Sequence, residues 1–453
     1  MFSSPNPFSD VATGTSRRDF LGHLGAMGSL GLVHAPAIAQ KNRVGEIPDL
    51  MTFLAPYVIK KETLDRFLDP KARVWAKFDP ELGYLLRNSF VRDGVDGCST
   101  LARYEEMGQR KQAHFPDQPV RIHTYGDSFT QGHQVSDGET WQEVLAAHFC
   151  EPIRNFGVGG FGVYQAYKRL IRQETGGPAA DHIILNIWGD DHLRSIYSWR
   201  WLSFPPSVVE SMSGIMFHAN PWVHARLDGM GKLIEKPSLC PSEKELYKLC
   251  DPGFLEASFR EDEIVQMIFA ERTGKLPNRD LADRAIAASA IENPDLSSPE
   301  AIKRTANRVI HGYAIRVGMR TVEKLDLFCK ANKKKLLVLL SYPVGSVWHA
   351  CNRTKPGDPD NVDWHPGVFK DFVRDRNIPL IDSLPFHVAE FDTFKLSAKA
   401  YVDRYYMGHY NPKGNHFFAF AIKDELLRWL DPKPPAYRTD KEPLIRFKGY
   451  LPG

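Results

Sequence analysis

The chain is poor in features that would identify its chemistry at a glance. Only 6 of its 453 residues are cysteine, and no CxxC pair or Cys/His cluster has the spacing of a zinc site. Neither sign of charge dominates: 58 Lys and Arg face 55 Asp and Glu, a formal net charge of +3. Such a balance offers no pull on nucleic acid or an anionic membrane, and no block of like charge is long enough to be an interaction tail. No apolar run is long enough to span a bilayer, so no stable membrane anchor is expected in the mature chain. Repeats and low-complexity segments are lacking. The glycine-rich stretches match no phosphate loop, and no cofactor or metal is expected. What remains is the composition of a soluble globular protein, 43% apolar and 25% charged, with length for one large domain or two ordinary ones.

Residues 1–39 read as an address rather than as part of the fold. Ser16-Arg17-Arg18-Asp19-Phe20-Leu21 resembles a twin-arginine export signal. A modestly apolar stretch over 21–35 follows, and Ala37-Ile38-Ala39 puts small residues where a signal peptidase reads, leaving Gln40 as the new N-terminus. The resemblance implies a bacterial twin-arginine export machinery as partner and a periplasmic or secreted location. Disulfides are permitted there, and Cys240 with Cys250 is the best pair. Cys329 lies on a helical apolar stripe and reads as a buried thiol.

Residues 40–117 look irregular and are expected to wrap the core. From Val120 the pattern alternates strand and helix. Residues 120–125, 153–158, 183–187, 336–340 and 378–381 read as strands, the last one marginal because Pro379 lacks a ladder donor. Long helical stripes run from Pro299 to Phe328 and over 417–430. Residues 194–297 break the alternation and read as an insertion; a Pro-rich tail spans 433–453. The expectation is an α/β protein, a three-layer α/β/α sandwich around a parallel sheet of about five strands, in a domain over 118–432. In such sheets the ligand sits beyond the carboxyl ends of the strands. Four segments should therefore converge.

The first is Gly126-Asp127-Ser128-Phe129-Thr130, on a turn between a strand and a helix. A serine there has its hydroxyl outside the ladder and beside unpaired backbone N–H groups, as a nucleophile requires. The bland reading is an ordinary Gly-Asp-Ser turn. After the second strand comes Asn155-Phe156-Gly157-Val158-Gly159-Gly160, where a glycine N–H could meet a developing oxyanion; a flexible turn is the alternative. After the third comes Trp188-Gly189-Asp190-Asp191-His192. Before the last helix comes Gly408-His409-Tyr410-Asn411-Pro412-Lys413-Gly414, whose histidine can serve as general base.

These four segments, in this order, resemble the SGNH hydrolases, also called GDSL esterases/lipases. The resemblance covers roughly residues 118–193 and 335–430, about two-fifths of the chain. It implies a flavodoxin-like fold, Ser128 as nucleophile, His409 as base and Gly160 as a backbone oxyanion donor. Two positions depart from the family's pattern. Its oxyanion asparagine falls on Asp190, which would have to be protonated or replaced in that role, with His192 a neighbouring candidate. Its orienting aspartate, three residues before the histidine, falls on Tyr406. Asp403, Asp382 or a backbone carbonyl are the substitutes. A rival idea gathers Asp127, Asp190, Asp191 and His192 around a hard cation.

The resulting expectation is an exported serine esterase acting on a small-molecule or glycan ester. Tyr197, Trp199, Trp201 and Trp222 could stack on sugar rings or form the insertion's own core. An O-acyltransferase using the same pair, or a catalytically impaired glycan-binding protein, are the alternatives.

Overall fold

The structure is a computed structural model that describes residues 49–212, 216, 218–355 and 361–438. The export signal at 1–39 and the end of the C-terminal tail lie outside the described residues. Five strands form the central sheet: β1 (Ile122–Tyr125), β2 (Arg154–Asn155), β3 (His182–Trp188), β4 (Lys335–Ser341) and β5 (Leu380–Asp382). Every pairing is parallel, and the order across the sheet is β5-β4-β3-β1-β2. The winding therefore reverses between β1 and β3. A crevice forms at such a reversal, outside the carboxyl ends of the strands.

Apolar continuity explains which strands lie at the centre. All of β3 is buried, and only Lys335 of β4 is exposed. Strands buried on both faces need helices on both faces. The helices of this domain are α1 (Ser128–Gln131), α2 (Trp141–Phe149), α3 (Val163–Gly176), α4 (Asp191–Arg194), α5 (Glu263–Thr273), α6 (Arg279–Ser289), α7 (Pro299–Ala331), α8 (Gly367–Asp375) and α9 (Pro412–Trp429), with α5 and α6 packed on α7. Helix α2 packs on α9, and α3 on α7. Among the described residues no helix is long and apolar enough to cross a membrane.

The two edges differ from the sequence pattern in instructive ways. The strand expected over 153–158 is regular only at Arg154–Asn155. The chain nevertheless continues beside β1, with Phe156 N–H on Thr124 O at 2.9 Å and Val158 N–H on Gly126 O at 3.0 Å. Gly157 lies between them against the backbone of α1. A Cβ there would stand 2.2 Å from Gln131 N and 2.5 Å from Thr130 C. On the opposite edge, Pro379 precedes β5 and gives the ladder only its carbonyl, which accepts Val338 N–H at 2.9 Å.

Residues 49–117 do more than wrap. They contain helices Leu50–Leu54 and Lys61–Leu68 and two small hairpins. From this region Arg110 reaches the segment after α1, and its guanidinium donates to Gln131 O at 2.7 Å, Gly132 O at 2.6 Å and Val135 O at 2.5 Å. Its Nε also pairs with Asp137 at 3.1 Å. One buried cation thus satisfies the open carbonyls of the turn that follows the candidate nucleophile.

Residues 194–297 share the main core. Trp199 stacks on Phe259, with ring centroids 5.9 Å apart, and donates to Ala219 O at 2.8 Å. Trp222 donates to Tyr197 O at 2.7 Å. Tyr197, Trp199, Trp201 and Trp222 are all buried, so they are core and not a platform for sugar rings. Cys240 and Cys250 are separate thiols, and Cys329 is buried.

Gly157→Ala tests the seam between the glycine loop and α1. Both clashing atoms are backbone and cannot swing aside. Stability should drop by about 2–4 kcal/mol, read from denaturant unfolding, while Gly345→Ala, in open space, should leave it nearly unchanged.

Candidate active site

Strand β1 ends at Tyr125, and three residues later Ser128 opens α1. Asp127 is the cap, its carboxylate accepting Phe129 N–H at 2.9 Å. The Ser128 N–H has no acceptor among the described residues. His409 arrives from the other end of the chain, in the loop before α9. Asn411 anchors that loop by accepting Gly414 N–H at 2.9 Å. The result is a contact between residues 281 apart in sequence: Ser128 Oγ lies 2.8 Å from His409 Nε2.

The far side of the imidazole meets Gln134. Its Oε1 is 3.1 Å from His409 N and 3.1 Å from His409 Nδ1. A backbone N–H can only donate, so the atom facing it is the amide oxygen. The amide nitrogen points the other way, donating to Asp93 O at 3.3 Å. The tautomer follows. Nδ1 carries the proton and donates to Gln134, which leaves the Nε2 lone pair facing the Ser128 hydroxyl. That hydroxyl has a second acceptor in Asp127 Oδ2, but at the longer distance of 3.2 Å.

His409 is buried, packed on Phe129 and edge-on to His133 at 4.7 Å between centroids. Burial first, then the fields of His133 and Arg194, hold its pKa well below the usual imidazole value. Its ring is therefore neutral at neutral pH and for some distance below.

The glycine loop is pinned beside this pair. Asn155 donates to Thr130 O at 2.8 Å and accepts Gly157 N–H at 2.9 Å. Gln131 Oε1 accepts Gly159 N–H at 2.9 Å. Gly160 follows at φ +88°, and its N–H has no acceptor among the described residues. A Cβ on Gly160 would meet Arg200 Nη1 and Tyr84 Oη, both at 2.5 Å. Arg200 is buried there, its Nη1 2.8 Å from His218 Nδ1 and 3.4 Å from Gly160 O. Burial lowers its pKa to about 10, so it remains a cation at neutral pH.

Behind Ser128 lies a knot of buried charge. Arg194 pairs with Asp190 at 2.5 Å, Asp191 at 2.8 Å and Asp127 at 3.4 Å. One guanidinium cannot balance three carboxylates. Burial, reinforced by their mutual repulsion, raises the pKa of Asp191 well above the usual range and that of Asp127 above it. Arg194 occupies the place among these acids that the cation hypothesis would give to a metal. Among the described residues no group of three or more His, Cys, Asp or Glu is arranged to hold one.

The residues singled out from sequence therefore divide. Ser128 and His409 meet, and Gly160 lies on the loop that Gln131 holds against α1. Asp190 turns its Oδ1 to the Arg194 guanidinium at 2.5 Å. His192 turns away: its Nε2 is 3.4 Å from His365 Nδ1, its ring packs on Phe369, and it fills the space over Gly318 of α7. Neither acid orients His409. Asp403 is exposed and bonded to Lys399, while Asp382 holds Lys370 at 2.6 Å. Asp403 lies one helical turn from Lys399, which claims it; Asp382 follows β5, on the outer edge strand. Tyr406, where the family's aspartate would fall, is buried against His387 and Tyr410. Gln134, Arg110, Arg194 and Arg200 were not anticipated. The one signal for Gln134 was its place six residues after the serine, too weak to single it out.

Comparison with protein-family models and with curated proteins finds no match.

Gln134→Glu provides a test that needs no substrate. A carboxylate facing Nδ1–H favours the imidazolium, so the pKa of His409, followed by NMR titration of the ring, should rise relative to the wild type. Gln134→Met should leave it low. An unchanged pKa in the Glu variant would show that Gln134 does not face the imidazole.

Proposed function

We propose that this chain is an exported serine esterase of the SGNH type, with a flavodoxin-like core, acting on an acyl ester. One observation carries the reading: a half-buried serine hydroxyl on a strand–helix turn lies 2.8 Å from the nitrogen of a neutral, oriented histidine.

The reaction runs in two halves. Ser128 Oγ attacks the acyl carbon while His409 Nε2 takes its proton. The imidazolium is held by Gln134 Oε1. The carbonyl oxygen becomes an oxyanion facing the N–H groups of Ser128 and Gly160, with the Arg200 cation beyond the glycine. Collapse expels the alcohol, which receives the proton from Nε2, and leaves an acyl-serine. Water then attacks the acyl carbon, gives its proton to His409, and the acid leaves as Ser128 is restored. Asp190 does not oppose this as a bare charge, because its Oδ1 is paired with Arg194 at 2.5 Å.

Gln134 makes this base unlike one supported by an acid. An amide oxygen offers a dipole, not a full charge, and stabilises the imidazolium less. The low pKa of His409 has the same direction. The acid limb of kcat/KM should therefore fall below the usual imidazole range, since activity requires the neutral ring.

Nothing in the buried aromatics of residues 194–297 favours a carbohydrate alcohol over any other. Export rests on the twin-arginine pattern alone, and a periplasmic or secreted location is part of the same proposal.

The test is turnover of p-nitrophenyl acetate by the chain beginning at Gln40. Ser128→Ala and His409→Ala should each lower kcat by about 10⁴-fold or more, and Gln134→Ala by ~10- to 100-fold. Undiminished turnover in Ser128→Ala overturns the mechanism. Acyl transfer to an added glycan that outruns hydrolysis would instead identify an acyltransferase.

A further inference from the structure

A second concavity lies across α4 from the serine. Within α4, Asp191 and Arg194 face Asp127, while His192 and Leu193 line a cavity of about 460 Å³. Its other walls come from the end of α6, the middle of α7 and the approach to α8. The volume is in the range of small-molecule sites. No residue assigned above to the Ser128 chemistry lines it.

The lining is apolar with a few open polar groups. Ile315, Met319 and Phe372 form much of the wall. His311 and Trp364 lie ring against ring, with centroids 5.9 Å apart. Trp364 is buried, yet neither its indole N–H nor either His311 nitrogen is hydrogen-bonded among the described residues, nor are these atoms sealed from solvent. Both residues line the cavity. Burial lowers His311 to about 4, so its ring is neutral at pH 7.

Among the described residues, the charges around the mouth leave Arg316 without an acidic partner. Arg320 and Arg376 share Glu323, at 2.9 and 2.7 Å. Lys370 holds Asp382 at 2.6 Å. Asp363, the one acid among the described lining residues, accepts the His365 backbone N–H, and burial raises its pKa against the field of Lys370. Arg316 lines the cavity, its guanidinium lying over Gly231 of the neighbouring hairpin, with no carboxylate within ion-pairing distance among the described residues. An arginine without an acidic partner beside an apolar hollow favours a carboxylate with an apolar body.

We infer that this cavity is a binding site for an apolar monocarboxylic acid, its carboxylate on Arg316, its body along Ile315, Met319 and Phe372, and Trp364 and His311 within hydrogen-bonding reach of any polar substituent. The site does not depend on the esterase reading, because it shares no residue with the Ser128–His409 pair.

Calorimetric titration of the chain from Gln40 with decanoate tests this, with 1-decanol as the uncharged counterpart. Saturable one-site binding of decanoate is expected, at least about tenfold tighter than decanol. Arg316→Met should erase that difference. Met319→Trp, which fills the hollow from a half-buried position, should abolish binding of both. Ser128→Ala should bind decanoate like the wild type, which separates this site from the serine. Equal affinity for acid and alcohol, decanoate binding unchanged in Arg316→Met, or binding that survives Met319→Trp would each overturn the assignment; circular dichroism establishes that the variants are folded.

Discussion

A single line of hydrogen bonds organises the candidate site: Ser128 hydroxyl to His409, His409 to the Gln134 amide, and that amide to the backbone carbonyl of Asp93. Each link removes a freedom from the next. The Asp93 carbonyl and the His409 N–H fix which way the amide faces. The amide oxygen fixes the imidazole tautomer. The tautomer leaves a lone pair for the serine. The line joins residues from the N-terminal region, the turn after β1 and the loop before α9, so the pair exists only in the folded chain. Arg110 supports it from below by satisfying the carbonyls of the turn from which Gln134 projects.

Charge is handled with the same economy. The crevice at the reversal between β1 and β3 holds two buried guanidiniums and three carboxylates within a few residues of the serine. A buried ion without a partner would be costly, and the cluster avoids that by pairing around Arg194 and by raising the pKa of its two most buried acids. The same surroundings keep His409 neutral. A cation near the base and a low dielectric both disfavour the imidazolium, while a cation beside Gly160 suits an oxyanion. The electrostatics thus favour negative charge at the glycine loop and resist positive charge on the histidine.

Much of this was legible from residues alone. Strands β3 and β4 announced themselves as continuous apolar runs, and α7 by its stripe from Pro299. Ser128 and His409 were legible through the resemblance of four ordered segments to the SGNH hydrolases, since turn chemistry alone left each with an ordinary reading. The third member of the line was not. Asp403, the nearest acid in sequence, and Asp382, at the end of the fifth strand, are each held by a lysine. Gln134 escaped notice because an amide carries no charge and its role depends on a distant backbone carbonyl. The tryptophans of residues 194–297 were ambiguous for a plain reason: composition shows that aromatics are present, and only packing shows that they face inward. Asp190 looked like a defect until Arg194, one helical turn on, proved to be its partner.

The most direct measurement is covalent. A fluorophosphonate reacts with a serine only when a neighbouring base has activated the hydroxyl and donors receive the phosphonyl oxygen. Treated with such a reagent at neutral pH, the chain from Gln40 should carry one adduct, located by peptide mass at Ser128, and the His409→Ala variant should carry none. A folded wild-type chain that takes no adduct, or takes it at another residue, would contradict the assignment of this pair as a catalytic centre.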